Sequence, residues 1–133
     1  MEYRSSALVP ATEHRDLSGP ALRAFFNIAD RWRLSVAQQR VLLGAPPPST
    51  YFKWKRDKAG SLGRDVLERI SYILGIYKAL EILLPTSEHA DQWISKPNSA
   101  PLFGGKSALD RMLEGNVGDL FVVRQYLDAQ RGG

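Results

Sequence analysis

Between about Gly63 and Leu84 the chain places Val66, Leu67, Ile70, Ile73, Leu74, Tyr77, Leu80 and Leu84 on one helical face, and Ile76, Ile82 and Leu83 off it. A helix this apolar on nearly every side has little face to offer water and has to be buried. It must therefore run through the middle of the molecule and join the segments on its two sides. Pro85 ends it. No run of alternating apolar residues supports a strand, and no internal repeat is present. The expected architecture is all-α, with roughly six or seven helices.

The flanking segments divide readily. Met1 to about Leu17 lacks periodicity and reads as a loose arm (1–17). Ser18 is placed to cap the first helix and Pro20 to fill its first turn, with Leu22, Phe25, Phe26, Ala29 and Trp32 as the inner stripe. Ser35 starts a second helix, with Val36, Ala37, Val41 and Leu42 inward and Gly44 as its stop. Ala45 to Pro48 reads as a non-helical linker, because each proline restricts the residue before it. Ser49 then caps a short third helix, TYFKWKRD. Ser87 opens a fifth helix through Trp93 and Ile94, and Lys96 to Pro101 forms a linker. Ser107 followed by Asp110 has the spacing of a capped helix with a first-turn carboxylate, and Leu109, Met112 and Leu113 are its apolar face. Gly115-Asn116 stops it. A last helix follows with Leu120, Val123, Tyr126 and Leu127 at helical spacing.

At 133 residues the chain is one ordinary domain, or two small ones sharing a core. It has no cysteine, which excludes disulfides, thiolate metal sites and a cysteine nucleophile. No apolar run reaches the roughly 18 residues a membrane span needs. The N-terminus has an early acidic residue and no secretory apolar stretch, so an intracellular, cytoplasmic product is expected. His14 and His89 lack partners at metal-ligand spacing and read as surface residues. No constellation for catalysis is visible, so an enzyme reading is poorly supported and neither a cofactor nor a metal is expected.

The second and third helices, joined by a tight Gly-containing turn, read as a helix-turn-helix unit over 18–65. In such a unit the start of the second helix approaches base edges while nearby cations neutralise phosphates. Tyr51 and Trp54, three apart, pack inward. That leaves Ser49, Thr50, Lys53, Lys55 and Arg56 as candidate DNA-binding residues, with Phe52 undecided between the two faces. From Ser49 to Asp65 there are five basic residues against two acidic ones, out of a net charge of +4 for the chain. The alternative is a solvated face on a structural unit. The proline run departs from the usual turn of the motif, which bears on DNA binding.

Gly104-Gly105-Lys106-Ser107 looks like the end of a phosphate-binding loop. The full pattern needs a glycine where Ala100 stands, and no strand precedes it. A structural turn, with Ser107 as cap and Phe103 docked on the core, fits better.

The block from Pro101 to Gly133, PLFGGKSALDRMLEGNVGDLFVVRQYLDAQRGG, resembles the C-terminal toxin-binding domain of Xre/MbcA/ParS-type antitoxins. These belong to RES-Xre type II toxin-antitoxin systems, and the likeness is closest to ParS antitoxins. It extends upstream through LGIYKALEILLP (Leu74 to Pro85) and WISKPNSAPLFGG (Trp93 to Gly105), and it takes in most of the chain. The resemblance implies an Xre-like helix-turn-helix unit fused through the long central helix to a small helical toxin-binding domain over 66–133. It implies a cognate RES-domain toxin that consumes or transfers from NAD, operator DNA as a second partner, a homodimer, and a complex with two copies of each protein. The inhibitory segment would be Tyr126 through Gly133, inserted into the NAD pocket and supported by Arg111, Arg124 and the surface from Met112 to Leu120. Its candidate residues are Arg111, Met112, Leu120, Arg124, Tyr126, Asp128, Gln130, Arg131, Gly132 and Gly133. A thin tip carrying an arginine and a carboxylate suits a cleft built for a charged cofactor. The competing reading is a stand-alone DNA-binding regulator whose C-terminal helices dimerise.

Overall fold

The computed structural model describes residues 8–132, with side chains from Leu17 onward. Seven helices appear among the described residues: α1 (Leu8–Arg31), α2 (Val36–Leu42), α3 (Pro48–Asp57), α4 (Arg64–Leu83), α5 (Ser87–Trp93), α6 (Ala108–Met112) and α7 (Val117–Gln130). The β-structure among these residues is a single antiparallel bridge between Pro97 and Ser107. No helix among them is long and apolar enough to cross a membrane.

Helix α4 is the axis of the molecule. It packs most extensively against α7, then α1, then α5. Ile73, Ile76 and Ala79 are fully buried on it, and Ile70 and Leu80 nearly so. Ile76 was expected off the main stripe; it is central because α1 and α7 cover α4 from two sides. Burial is not complete all round, however, since Ile82 is 62% exposed. The apolar cluster is continuous from Leu22 and Phe25 on α1 through α4 to Met112, Val123 and Leu127. The two ends of the chain therefore share one core.

Several local expectations are corrected. Residues 1–7 of the expected arm lie outside the described residues, and from Leu8 on the backbone is already helical. Ser18 thus sits inside α1 and is fully buried; its hydroxyl accepts the Leu62 N–H at 3.1 Å, a partner far along the chain. Pro20 is inside the helix, not in its first turn. Ser49 does not cap α3: Pro47 holds the cap position and Pro48 is the first helical residue, where a missing N–H costs nothing. On α2 the buried residues are Gln39 and Leu42, while Val36 is 38% exposed and Ala37 also faces out. The cap of α5 is Thr86, whose hydroxyl accepts the His89 N–H at 3.1 Å.

Candidate nucleic-acid and partner-binding faces

Short-range contacts fix the angle between α2 and α3. Ser35 and Gln38 cap α2 reciprocally, Gln38 N donating to Ser35 Oγ (3.1 Å) and Ser35 N to Gln38 Oε1 (2.9 Å),. At the far end Gly44 and Ala45 both take positive φ, 93° and 61°, and the Ala45 N–H donates to Arg40 O at 2.7 Å, closing the helix,. Arg40 reaches past this turn and donates from Nε and Nη2 to Pro46 O, at 3.1 and 2.9 Å. Pro46 itself is buried. The proline run is therefore a pinned corner and not a slack linker.

Tyr51 carries the packing across that corner. It is fully buried, donates its hydroxyl to Gln39 Oε1 at 2.5 Å, and meets Phe26 edge-on with ring centroids 5.9 Å apart. Gln39 Nε2 in turn donates to Leu34 O at 2.9 Å. Burial, and then the charge of Asp30, raise the Tyr51 pKa, so the hydroxyl stays a donor,.

With Tyr51 turned inward, the helical repeat puts Ser49, Phe52, Lys53 and Arg56 on the outward face of α3. Phe52, which spacing left undecided, is 50% exposed and belongs to that face. Lys55 is exposed at its edge and Thr50 half-buried. Arg56 engages its neighbour Asp57 at 2.9 Å, with its side chain still 69% exposed. Lys58 is withdrawn from the face: it ends α3 in the left-handed conformation, donates to Lys55 O at 2.6 Å, and places its ammonium 5.4 Å from the Phe26 ring centre.

The second face lies where α4, α5 and α7 end. Phe103, docked on the core as expected, meets Trp93 and Tyr126 edge-on at 6.0 and 5.2 Å. Beside this aromatic row Leu83, Leu84, Trp93, Tyr126 and Gln130 line a shallow groove of about 250 Å³. The loop that carries Phe103 is closed on itself by Asn98, whose N–H donates to Lys106 O (3.0 Å) and whose carbonyl accepts the Gly105 N–H (2.9 Å). Gly104 and Gly105 take positive φ there, so the Gly-Gly-Lys-Ser run is a structural turn. Ser107 caps α6 with Asp110 as its spacing foretold, the two hydrogen bonds being 3.0 and 3.1 Å.

Residues 12–75 match the family model for the antitoxin Xre-like helix-turn-helix domain, and residues 79–133 match that for the antitoxin Xre/MbcA/ParS C-terminal toxin-binding domain. The chain belongs to the Xre/MbcA/ParS antitoxin family. This antitoxin is also 59% identical over 112 residues to a protein of Sinorhizobium fredii (strain NBRC 101917 / NGR234) described as uncharacterized protein y4oB, with 84% of each chain covered. No solved structure matches it. The two family matches meet inside α4, the helix that both halves pack upon. The family is one of protein inhibitors and not of enzymes; the antitoxin's C-terminal domain binds a toxin, and a cognate toxin is its partner.

The antitoxin's expected toxin-binding residues do not all reach its surface. Met112 on α6 and Leu120 on α7 are each 1% exposed and belong to the core. Arg111 is half-buried and committed inward: Nε donates to Asp119 Oδ1 at 2.9 Å, and Nη1 lies 3.4 Å from Leu102 O. Burial opposes ionisation of Asp119, yet the hydrogen bonds from Arg111 and Asn116 outweigh it and hold the carboxyl below its ordinary 3.8,. The surface residues are Arg124, Tyr126 and Asp128, half-buried, and Gln130, Arg131 and Gly132, exposed. Gly133 lies outside the described residues. The segment expected as a tip is helical through Gln130, and Asp128 ties it to Arg124 (3.7 Å) and Arg131 (3.9 Å). Sequence spacing missed the groove because its lining comes from three separate helices.

Proposed function

We propose that the antitoxin neutralises a RES-domain toxin by occluding the toxin's NAD site with the segment from Tyr126 to Gly133. The observation that carries this reading is the end of α7. Gln130 lines an apolar groove with Leu83, Leu84, Trp93 and Tyr126, and Arg131 and Gly132, which follow it, are exposed. Such a groove supplies area for holding a partner, and the polar end beside it can enter a cleft built for a charged cofactor. The mechanism is steric, with no bond made or broken by this chain. Two copies of each protein make up the complex.

The outward face of α3 binds operator DNA and represses the antitoxin's own operon. Lys53, Lys55 and Arg56 are exposed on a helix whose angle to α2 is pinned by Gln39, Arg40 and Tyr51, and a dimer doubles these few contacts into useful specificity. Titrating the antitoxin into its toxin's NAD-turnover assay tests the first part: stoichiometric inhibition is expected, and unaffected turnover with a folded sample contradicts it.

A further inference from the structure

We infer that Phe52 is the residue with which the antitoxin reads the 5-methyl group of thymine in the major groove. The inference rests on the proposed DNA-binding role of α3 and adds to it a specificity determinant and the chemical group it recognises.

Phe52 is 50% exposed on a helix whose other aromatic residues, Tyr51 and Trp54, are buried or half-buried. Exposure alone does not single Phe52 out, since Leu17, Val36, Ile82 and Phe121 are exposed to a similar degree,; what distinguishes it is its company on the outward face of α3. It shares the outward face with Ser49, Lys53 and Arg56, so whatever covers it must also accept the two cations beside it. Duplex DNA has this combination in its major groove, where thymine displays an apolar methyl group between two rows of phosphates. Phe52 is also preorganised. Its ring stands at 77° to Tyr51, with centroids 5.0 Å apart. Tyr51 is in turn locked by Gln39 at 2.5 Å and by Phe26. The ring is therefore presented from a fixed base, one turn into α3, where side chains of a docked helix reach base edges.

The test begins with duplexes selected by the full-length antitoxin from a randomised library. In a selected duplex each thymidine is replaced singly by deoxyuridine, which removes only the methyl group, and affinity is read by fluorescence anisotropy. At one thymine per half-site the replacement is expected to weaken binding about fourfold, the value for losing one buried methyl group. Phe52→Ala should bind the thymine duplex more weakly and show no uracil penalty, while Phe52→Leu should retain part of it. Circular dichroism and toxin binding should be unchanged in both variants, since the side chain is on the surface. A wild-type protein indifferent to uracil at every position overturns the inference, as does a penalty that persists in Phe52→Ala. Loss of self-association in Phe52→Ala, with a flat uracil scan, overturns it in favour of a contact between copies. If the library yields no enriched sequence, the DNA-binding role of α3 fails and this inference falls with it. Enrichment without methyl dependence removes only the inference.

Discussion

The guanidinium of Arg124 on α7 packs directly against the backbone of Gly75 on α4: a methyl group at position 75 would lie 2.5 Å from Arg124 Nε and 2.6 Å from its Cζ. Arg124 is thereby laid along α4, where Nη1 reaches Ser71 O at 3.5 Å and Nε pairs with Asp128 at 3.7 Å. Glycine at the middle of a buried helix is what allows this close approach. The end of α7, the segment proposed to enter the toxin, is anchored through it.

Gly75→Ala separates the anchor from the fold. Alanine favours the helix by about 1 kcal/mol, and the displaced Arg124 is a flexible, partly exposed side chain whose ion pair is worth at most about 1 kcal/mol. Thermal stability should therefore change little, while toxin affinity falls as the Arg124–Asp128 geometry is lost. Equal affinity for both proteins by calorimetry would show that Arg124 has no bearing on the partner.

Arg69 joins the two family domains. It is 9% exposed, pairs with Asp65 at 2.9 Å, donates from Nη2 to Gly115 O at 3.1 Å, and lies against the turn at Gly44, where an added methyl would sit 3.1 Å from its Nε. Arg69→Met keeps the stem and removes the fork. The expected cost is about 2 kcal/mol, that of a partly buried charged hydrogen bond, measured by urea denaturation. An unchanged midpoint would mean the Gly115 contact contributes nothing.

Asp119 makes stability depend on pH at the acid end. Its folded pKa lies below the ordinary 3.8, so its contribution is fully present above 3.8 and is lost as pH falls through the folded value. Asp119→Asn should cost about 1–2 kcal/mol at neutral pH, allowing for the half-exposed Arg111, and should flatten the acid limb of the stability curve. A variant with the wild-type acid limb would assign that limb to another group.

Tyr51→Phe deletes the hydroxyl that donates to buried Gln39 Oε1. A buried acceptor left without its donor costs about 1–3 kcal/mol, and the α2–α3 corner loosens with it. DNA affinity should fall further than toxin affinity. A proportional loss in both would indicate global destabilisation only.

Charge reversal at Lys53, Lys55 and Arg56 should abolish DNA binding and leave toxin neutralisation intact, because none of the three touches the groove beside α7. Binding by the unmodified antitoxin should weaken steeply with salt, by counterion release. Neutralisation lost together with DNA binding would contradict the separation of the two faces.

Signals confined to a few residues were legible in the sequence. The caps at Ser35 and Ser107, the stop at Gly115 and the inward Tyr51 depend on spacing within a turn or two, and the central α4 on an apolar pattern sustained along the whole helix. Ser18 and Ser49 misled for the converse reason: each has a cap-forming side chain, but Leu62 claimed the Ser18 hydroxyl from far along the chain, and Pro48 began α3 a residue early. Arg69, the groove at Leu83, Leu84 and Trp93, and the burial of Met112 and Leu120 are consequences of how α4 to α7 meet. The apolar stripes of α6 and α7 did mark Met112 and Leu120 as inward, whereas no local pattern encodes the Arg69 contacts or the groove.

The central claim is occlusion by the end of α7, and removing Ala129 to Gly133 tests it most directly. NAD turnover by the cognate toxin and toxin binding are measured on the same preparations of intact and shortened antitoxin. The account predicts that the shortened protein still binds, through the groove and the aromatic row, but inhibits far less. Equal losses of binding and inhibition, or no loss of either, would contradict it.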